Sequence, residues 1–119
     1  MKKIRVPIFT EEYAVNVYIG KQEEVIKNAA KYMKCSEIKV KNQFHNKRGM
    51  AWNCFPEWHP LIGINGELSA TIALATLAHE SSHTLDFIIH HIGLDDRSGE
   101  FRAHGIACIM RTVGKSFKK

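Results

Sequence analysis

The sequence has few cysteines, and they form no recognisable framework. Its 119 residues include three, Cys35, Cys54 and Cys108, which are widely spaced and contain no Cys-x-x-Cys pair. Disulfide scaffolds and thiolate zinc sites both need paired or closely spaced cysteines, so neither is indicated. Unpaired thiols are typical of a reducing compartment, and we expect the protein to act in the cytoplasm.

The chain also lacks a long apolar run. Its first residues, Met-Lys-Lys-Ile-Arg-Val-Pro, have no apolar core, and the longest apolar stretch, near Leu74, is broken by Thr76, His79 and Glu80. A membrane-spanning helix needs about 20 predominantly apolar residues, and a signal peptide needs an apolar segment behind its positive charges. We therefore expect no membrane association.

Charge is not concentrated in a patch either. The formal net charge is +5, but most of the lysines lie at both ends of the chain and between Lys21 and Lys41, where they alternate with Glu23, Glu24 and Glu37. Nucleic-acid-binding patches usually cluster Lys and Arg with aromatic side chains. This distribution indicates solvated surfaces and disfavours nucleic acid as a partner, although a basic nucleic-acid binder is one alternative.

The composition and length are those of an ordinary folded domain. Apolar residues make up 45% and charged residues 24% of the chain, and the length suits one domain over residues 1–119. Residues 4–9 and 13–19 have the pattern of strands, and residues 22–33 that of an amphipathic helix. Residues 38–66 predict two or three short strands separated by turns.

The second half predicts two helices, over residues 70–92 and about 100–113. Ser69 can cap the first, which is strongly apolar and ends at Gly93. The second has small residues that would let it approach the first closely: Ala103, Gly105 and Ala107. We predict an α+β fold: a small antiparallel or mixed sheet packed on a central helix, with one amphipathic helix before it and one C-terminal helix after it.

The central predicted helix contains His-Glu-x-x-His, formed by His79, Glu80 and His83. Residues four apart lie on one face of a helix, so both imidazoles can reach one ion. Zinc suits imidazole nitrogen, and a catalytic zinc takes three protein ligands and leaves one position to water. Glu80 is turned about 100° from His79 and can reach that water. The pattern therefore predicts a Zn²⁺ site with Glu80 as general base.

The third ligand lies outside this pattern. The extended metzincin pattern needs Gly at position 86 and His at position 89, but Asp86 and Ile89 stand there, which excludes that subclass. Glu100, at the beginning of the next predicted helix, is the first choice. His104, one turn further, could be a substitute ligand, a hydrogen-bond donor to the oxyanion or a core histidine.

Other polar and aromatic residues near the motif have simpler explanations. His90 and His91 lie too far along the helix to close the site, and we expect them to be exposed. Core packing suits Trp52 and Trp58 better than lining a groove. Three acidic residues could orient an imidazole through its second nitrogen, although loop or capping roles suit them better: Asp86, Asp95 and Asp96.

Three segments resemble one known family. They are Leu77-Ala-His-Glu-Ser-Ser-His-Thr-Leu-Asp, Ile92-Gly-Leu-Asp-Asp and Ser98-Gly-Glu-Phe-Arg-Ala-His. Over residues 72–110 the chain resembles small phage-encoded zinc metallopeptidases of the gluzincin kind. The resemblance implies a minimal zincin-like fold. It also implies the following roles: metal ligands His79, His83 and Glu100, catalytic base Glu80, and oxyanion donor His104, which stands where a tyrosine is common.

The resemblance also implies a reaction. A peptide or protein substrate would be hydrolysed at an amide bond by zinc-bound water, in the host cytoplasm if the protein is phage-encoded. Zincins usually lay the substrate along an edge strand, for which residues 60–67 are the candidate. The alternative is a zinc-stabilised, non-catalytic phage factor that binds a host protein, which Glu100 and His104 both bound to the metal would favour. The oligomeric state is left open.

Overall fold

The computed structural model describes residues 1–117 of the chain. In chain order the elements are β1 (Lys2–Ile8), β2 (Thr10–Gly20), α1 (Gln22–Met33), α2 (Glu37–Phe44), β3 (Gly49–Trp52), β4 (Leu61–Asn65), α3 (Ala70–Ile92) and α4 (Glu100–Gly114), followed by a short 3₁₀ turn, Lys115–Phe117. The prediction of an α+β fold with a central helix that carries the His-Glu-x-x-His motif is confirmed.

The four strands form one mixed sheet in the order β1-β2-β4-β3. β1 and β3 are antiparallel to their neighbours, whereas β2 and β4 run parallel, with Ile62 between Val17 on one side and Ala51 on the other. β4 is thus an interior strand, and the prediction that residues 60–67 form the edge is wrong. Residues 61–64 are all buried, which suits a strand covered on both faces.

The sheet separates two halves of the core. Side chains alternate along each strand, so Val17 and Ile62 face α3 and α4, while Tyr18 and Leu61 face α1 and α2. The molecule therefore has three layers, with a pair of helices on each side of the sheet. The helix with the motif covers the β4 and β3 side of one face, and α4 covers β1.

α2 corrects the prediction of a strand near Ile38 and of a single helix before the central one. Its Ser36 cap accepts a hydrogen bond from the Lys39 backbone N–H at 3.2 Å. Val40 and Phe44, one helical turn apart, are fully buried, whereas Ile38 is 73% exposed. The two β-branched residues of Ile-Lys-Val are typical of a strand, but the burial of Val40 and Phe44, which are four residues apart, favours a helix.

The predicted limits of α3 are confirmed. The Ser69 hydroxyl accepts a hydrogen bond from the Ile72 N–H at 3.4 Å, and Gly93 ends the helix with a φ of 69°. Such a positive φ favours glycine, which has no Cβ to clash with the backbone. Although α3 has 23 residues, no helix in residues 1–117 is long and apolar enough to cross a membrane.

α4 packs against α3 through Gly105. A Cβ at this position would lie 2.8 Å from the Leu85 Cγ, so only glycine permits the observed approach. Ala103 and Ala107 are exposed on the other side of α4. The prediction that all three small residues permit close packing is therefore right for Gly105 alone.

Candidate metal centre

His79 and His83 stand one turn apart on α3, and both side chains are exposed. Their Nε2 atoms are 3.2 Å apart, and the rings meet edge to face with centroids 4.8 Å apart. Two nitrogens that share a tetrahedral zinc at 2.0–2.1 Å are separated by about 3.3–3.4 Å. The donor atoms thus already have nearly the spacing that a shared ion requires.

Glu80 completes the cluster from the buried side of the helix. Its side chain is 8% exposed, and one carboxylate oxygen and the two imidazole nitrogens all lie within 4.8 Å of one another. Burial raises the pKa of Glu80, and this shift is partly offset by His79, His83 and Lys47. A carboxylate that is partly removed from water is a stronger base than an exposed one.

Gly49 allows the edge strand to approach this carboxylate. It begins β3 and faces α3, where a Cβ would lie 2.6 Å from the Thr76 Cγ2 and 3.2 Å from the Glu80 Cγ. Thr76 cannot easily give way, because a β-branched side chain has few rotamers in a helix and its hydroxyl donates to the Ile72 carbonyl at 2.8 Å. Sequence reasoning missed Gly49 and Thr76, although a glycine at the beginning of a strand can indicate close contact.

The cluster opens into a surface groove of about 720 Å³ between α3 and β3. Residues 47–51 form one wall, and the other comes from α3, including Ala75, Thr76 and Phe87. Because β3 is an edge strand, this wall is also the border of the sheet. An extended ligand in the groove would lie next to the motif.

Glu100 and His104 are not in this cluster. They contact each other, with 3.5 Å between the Glu100 Oε2 and the His104 Nε2, and both side chains are largely exposed. The His104 ring also meets the edge of Phe9, at the turn between β1 and β2, with centroids 6.2 Å apart. The structure therefore brings these two residues together but does not bring them to His79 and His83. Their roles at a metal remain predictions.

The orientation of α4 keeps Glu100 away from His79 and His83. Arg102, two residues after Glu100, faces α3, where its guanidinium binds the Ser82 hydroxyl and the Asp86 carboxylate. A residue two positions away on a helix points in a different direction by about 200°. Within residues 1–117, the group of His, Cys, Asp and Glu side chains able to hold one ion is limited to the three residues of the motif.

The acidic residues near the motif have structural roles: Asp95 and Asp96 lie in the loop before α4, as expected, whereas Asp86 lies within α3, in neither a loop nor a cap. Asp86 pairs with Arg102 at 3.2 Å, and Asp95 pairs with Arg97 at 3.0 Å. Both carboxylate oxygens of Asp96 accept hydrogen bonds from backbone N–H groups in the first turn of α4, each at 3.1 Å. Asp96 therefore holds the beginning of α4 in place.

His90, His91 and the two tryptophans also match expectation. His90 and His91 are exposed, and the His91 ring stacks on Phe55 with centroids 4.0 Å apart. Trp52 is buried in the core on the α1 and α2 side, with Trp58 packed partly against it. Neither tryptophan lines the groove.

No family model, curated protein or solved structure matches this chain. Its class therefore follows from the geometry of the site. It is a small α+β protein in which His79, Glu80 and His83, on one helix, could hold a metal ion. This arrangement fits a zinc metalloprotein.

Proposed function

We propose that this protein is a zinc-dependent hydrolase of peptide bonds, with His79 and His83 as metal ligands and Glu80 as general base. The observation that carries the proposal is the 3.2 Å separation of the two Nε2 atoms next to a buried carboxylate. The resemblance to gluzincin-type metallopeptidases supports the same roles. The groove provides room for a peptide beside them.

Each residue of the motif has a distinct task in this reaction. The imidazoles hold the ion, which would polarise the substrate carbonyl and make a water molecule in the site more acidic. Glu80 accepts the proton of the attacking water and passes it to the leaving amine. Its burial favours proton uptake, while Lys47 nearby favours the ionised form that must be present first.

The third ligand and the oxyanion donor are proposed from the resemblance. Glu100 would be the ligand and His104 the donor, and for this Glu100 would have to leave the contact that the two residues make with each other. Both side chains are mostly exposed, but to reach His79 and His83 they would also need α4 to turn, against the contacts of Arg102 with Ser82 and Asp86. A catalytic zinc needs a third protein ligand, and these are the residues to test for it.

β3 replaces residues 60–67 as the strand that would receive the substrate. Within residues 1–117 it pairs only with β4, so the N–H and C=O groups along its other side have no strand partner. An extended peptide can add to such an edge through main-chain hydrogen bonds. The edge borders the groove of the motif, so a peptide bound there would pass beside Glu80.

Elemental analysis of the purified protein, combined with a peptide-library cleavage assay, tests the proposal. We expect one zinc per chain in the wild type, loss of zinc in His83→Ala, and retained zinc without cleavage in Glu80→Gln. His90→Ala, exposed on the same helix but outside the cluster, is the matched control and should retain both properties.

The other outcomes distinguish the hydrolase from its alternatives. If the wild type contains no zinc, the metal site is refuted. If it contains stoichiometric zinc but cleaves nothing in the library, the result favours the zinc-stabilised binding protein over the hydrolase. If Glu80→Gln cleaves as well as the wild type, Glu80 is not the base.

A further inference from the structure

Two cations lie in the groove without an acidic partner. Lys47 and Arg48 line it together with the motif. Among residues 1–117, neither side chain takes part in an ion pair. Arg102, by comparison, is paired with Asp86. The charges of Lys47 and Arg48 are therefore available to a ligand.

The rest of the groove accentuates these charges. Within the part of the chain that the structure describes, Glu80 is the one acidic residue that lines the groove. Most of the other lining side chains are apolar, including Met50, Ala51 and Phe87. Lys47 and Glu80 line the same groove. A ligand that reaches Glu80 thus also comes within reach of a positive charge.

The turn that carries the two cations is anchored on both sides. Asn46 adopts a left-handed conformation with a φ of 61°, which asparagine tolerates better than most residues. The Lys47 N–H donates to the Phe44 carbonyl at 3.0 Å, and the Arg48 carbonyl accepts from the Asn65 N–H at 2.9 Å. The backbone below the two side chains is therefore held against α2 and β4.

We propose that Lys47 and Arg48 bind a carboxylate of the substrate, so that the enzyme prefers peptides with a negative charge near the cleaved bond. The proposal rests on the hydrolase function proposed above and names its substrate class. A guanidinium can grip a carboxylate through two parallel hydrogen bonds, and a nearby ammonium adds a point charge. The carboxylate comes from an acidic side chain or from a free C-terminus, since the recognising chemistry is the same.

Kinetics on three matched peptides separates these sources. One has a Glu beside the cleaved bond and an amidated C-terminus, the second has Gln instead, and the third has Gln with a free C-terminal carboxylate. We expect the wild type to have about a tenfold lower KM for one or both charged peptides than for the neutral one, as for one charge-assisted hydrogen bond. The kcat should change little.

The variants assign the effect to the two cations. Arg48→Gln and Lys47→Gln should each remove most of the preference, and the double variant with Glu at both positions should favour a peptide with Lys in place of Glu. Arg111→Gln is the matched control, because Arg111 is exposed on α4 outside the groove and its loss changes the net charge equally. It should retain the wild-type preference.

Binding provides a readout that does not depend on cleavage. The amide resonances of residues 47–51 in zinc-loaded Glu80→Gln protein should shift with either charged peptide more than with the neutral one, and Arg48→Gln should abolish the difference. Three results would overturn the proposal: equal responses to all peptides, a carboxylate effect that survives in both Gln variants, or tighter binding of inorganic phosphate. Carboxylate binding without any cleavage would refute the hydrolase but support this anion site.

Discussion

Gly49 lies directly against the side chain of Glu80: a Cβ at Gly49 would be 3.2 Å from the Glu80 Cγ. The two residues come from different elements, an edge strand and the central helix, and both line the groove. A side chain on β3 at position 49 would therefore press on the proposed base.

Gly49→Ala should weaken zinc binding and cleavage as well as stability. The added methyl group would press on Thr76 and Glu80, and such overpacking costs about 1–3 kcal/mol. Gly63→Ala is the matched control, because its Cβ would press on Trp52 and Val25, on the opposite side of the sheet. We expect both variants to lower the free energy of unfolding in urea, but only Gly49→Ala to lower the zinc affinity of the folded protein. Equal zinc affinities would show that Gly49 has no influence on the site.

Glu100→Ala tests the ligand that the resemblance suggests. If Glu100 binds the metal, its removal should lower zinc affinity by at least about tenfold, since even residues that only orient ligands have effects of this size. His104→Ala should retain zinc and lower kcat. A competition titration with a chromophoric chelator measures the affinity. Unchanged zinc affinity in Glu100→Ala would mean that the two residues only contact each other, as the structure shows them.

His59 should make the stability of the protein depend on pH. Burial, and to a lesser extent Arg5, lowers the pKa of His59, and its Nδ1 lies 3.4 Å from the Ala14 backbone nitrogen, which can donate to it when the ring is neutral. In the unfolded chain, where the pKa of a histidine is about 6.5, the ring of His59 then binds a proton more readily than in the folded protein. The stabilisation is complete above this pKa and is lost as the pH falls through it towards the folded-state value.

Urea unfolding of metal-free protein near pH 7.5 and pH 5.5 measures this effect. The free energy of unfolding should fall more steeply with decreasing pH in the wild type than in His59→Gln. His90→Gln, in which an exposed histidine is replaced, should behave as the wild type does. If His59→Gln has the same pH dependence as the wild type, the ring does not couple protonation to folding.

Cys54 should be the slowest of the three thiols to react. It is 7% exposed, and burial raises its pKa to about 11, whereas Cys35 and Cys108 are each partly accessible. The thiolate is the reactive form, so both effects act in the same direction. Mass spectrometry after brief exposure to iodoacetamide at mildly alkaline pH should find Cys54 unmodified, and all three cysteines should react in denaturant. Equally rapid labelling of Cys54 in the folded protein would contradict its burial.

Features that depend on neighbouring residues in the sequence could be predicted. The pitch of an α-helix places His79 and His83 on one face, and the Ser69 and Gly93 caps follow from local hydrogen bonding and backbone freedom. α2 was missed because Ile38 and Val40 have the residue types of a strand. Its helical form depends on the burial of Val40 and Phe44 against the sheet.

From the sequence alone, the class of the fold could be predicted, and so could the position of His79, Glu80 and His83 on one helix with both imidazoles on the same face. The packing of the whole chain was needed to show that β3 is the edge strand beside them, that Gly49 makes room for Glu80, and that Lys47 and Arg48 line the same groove. It also paired Glu100 with His104. These relationships join residues that are distant in the chain or depend on the direction in which a helix packs, and strand order and helix rotation are set by the whole core.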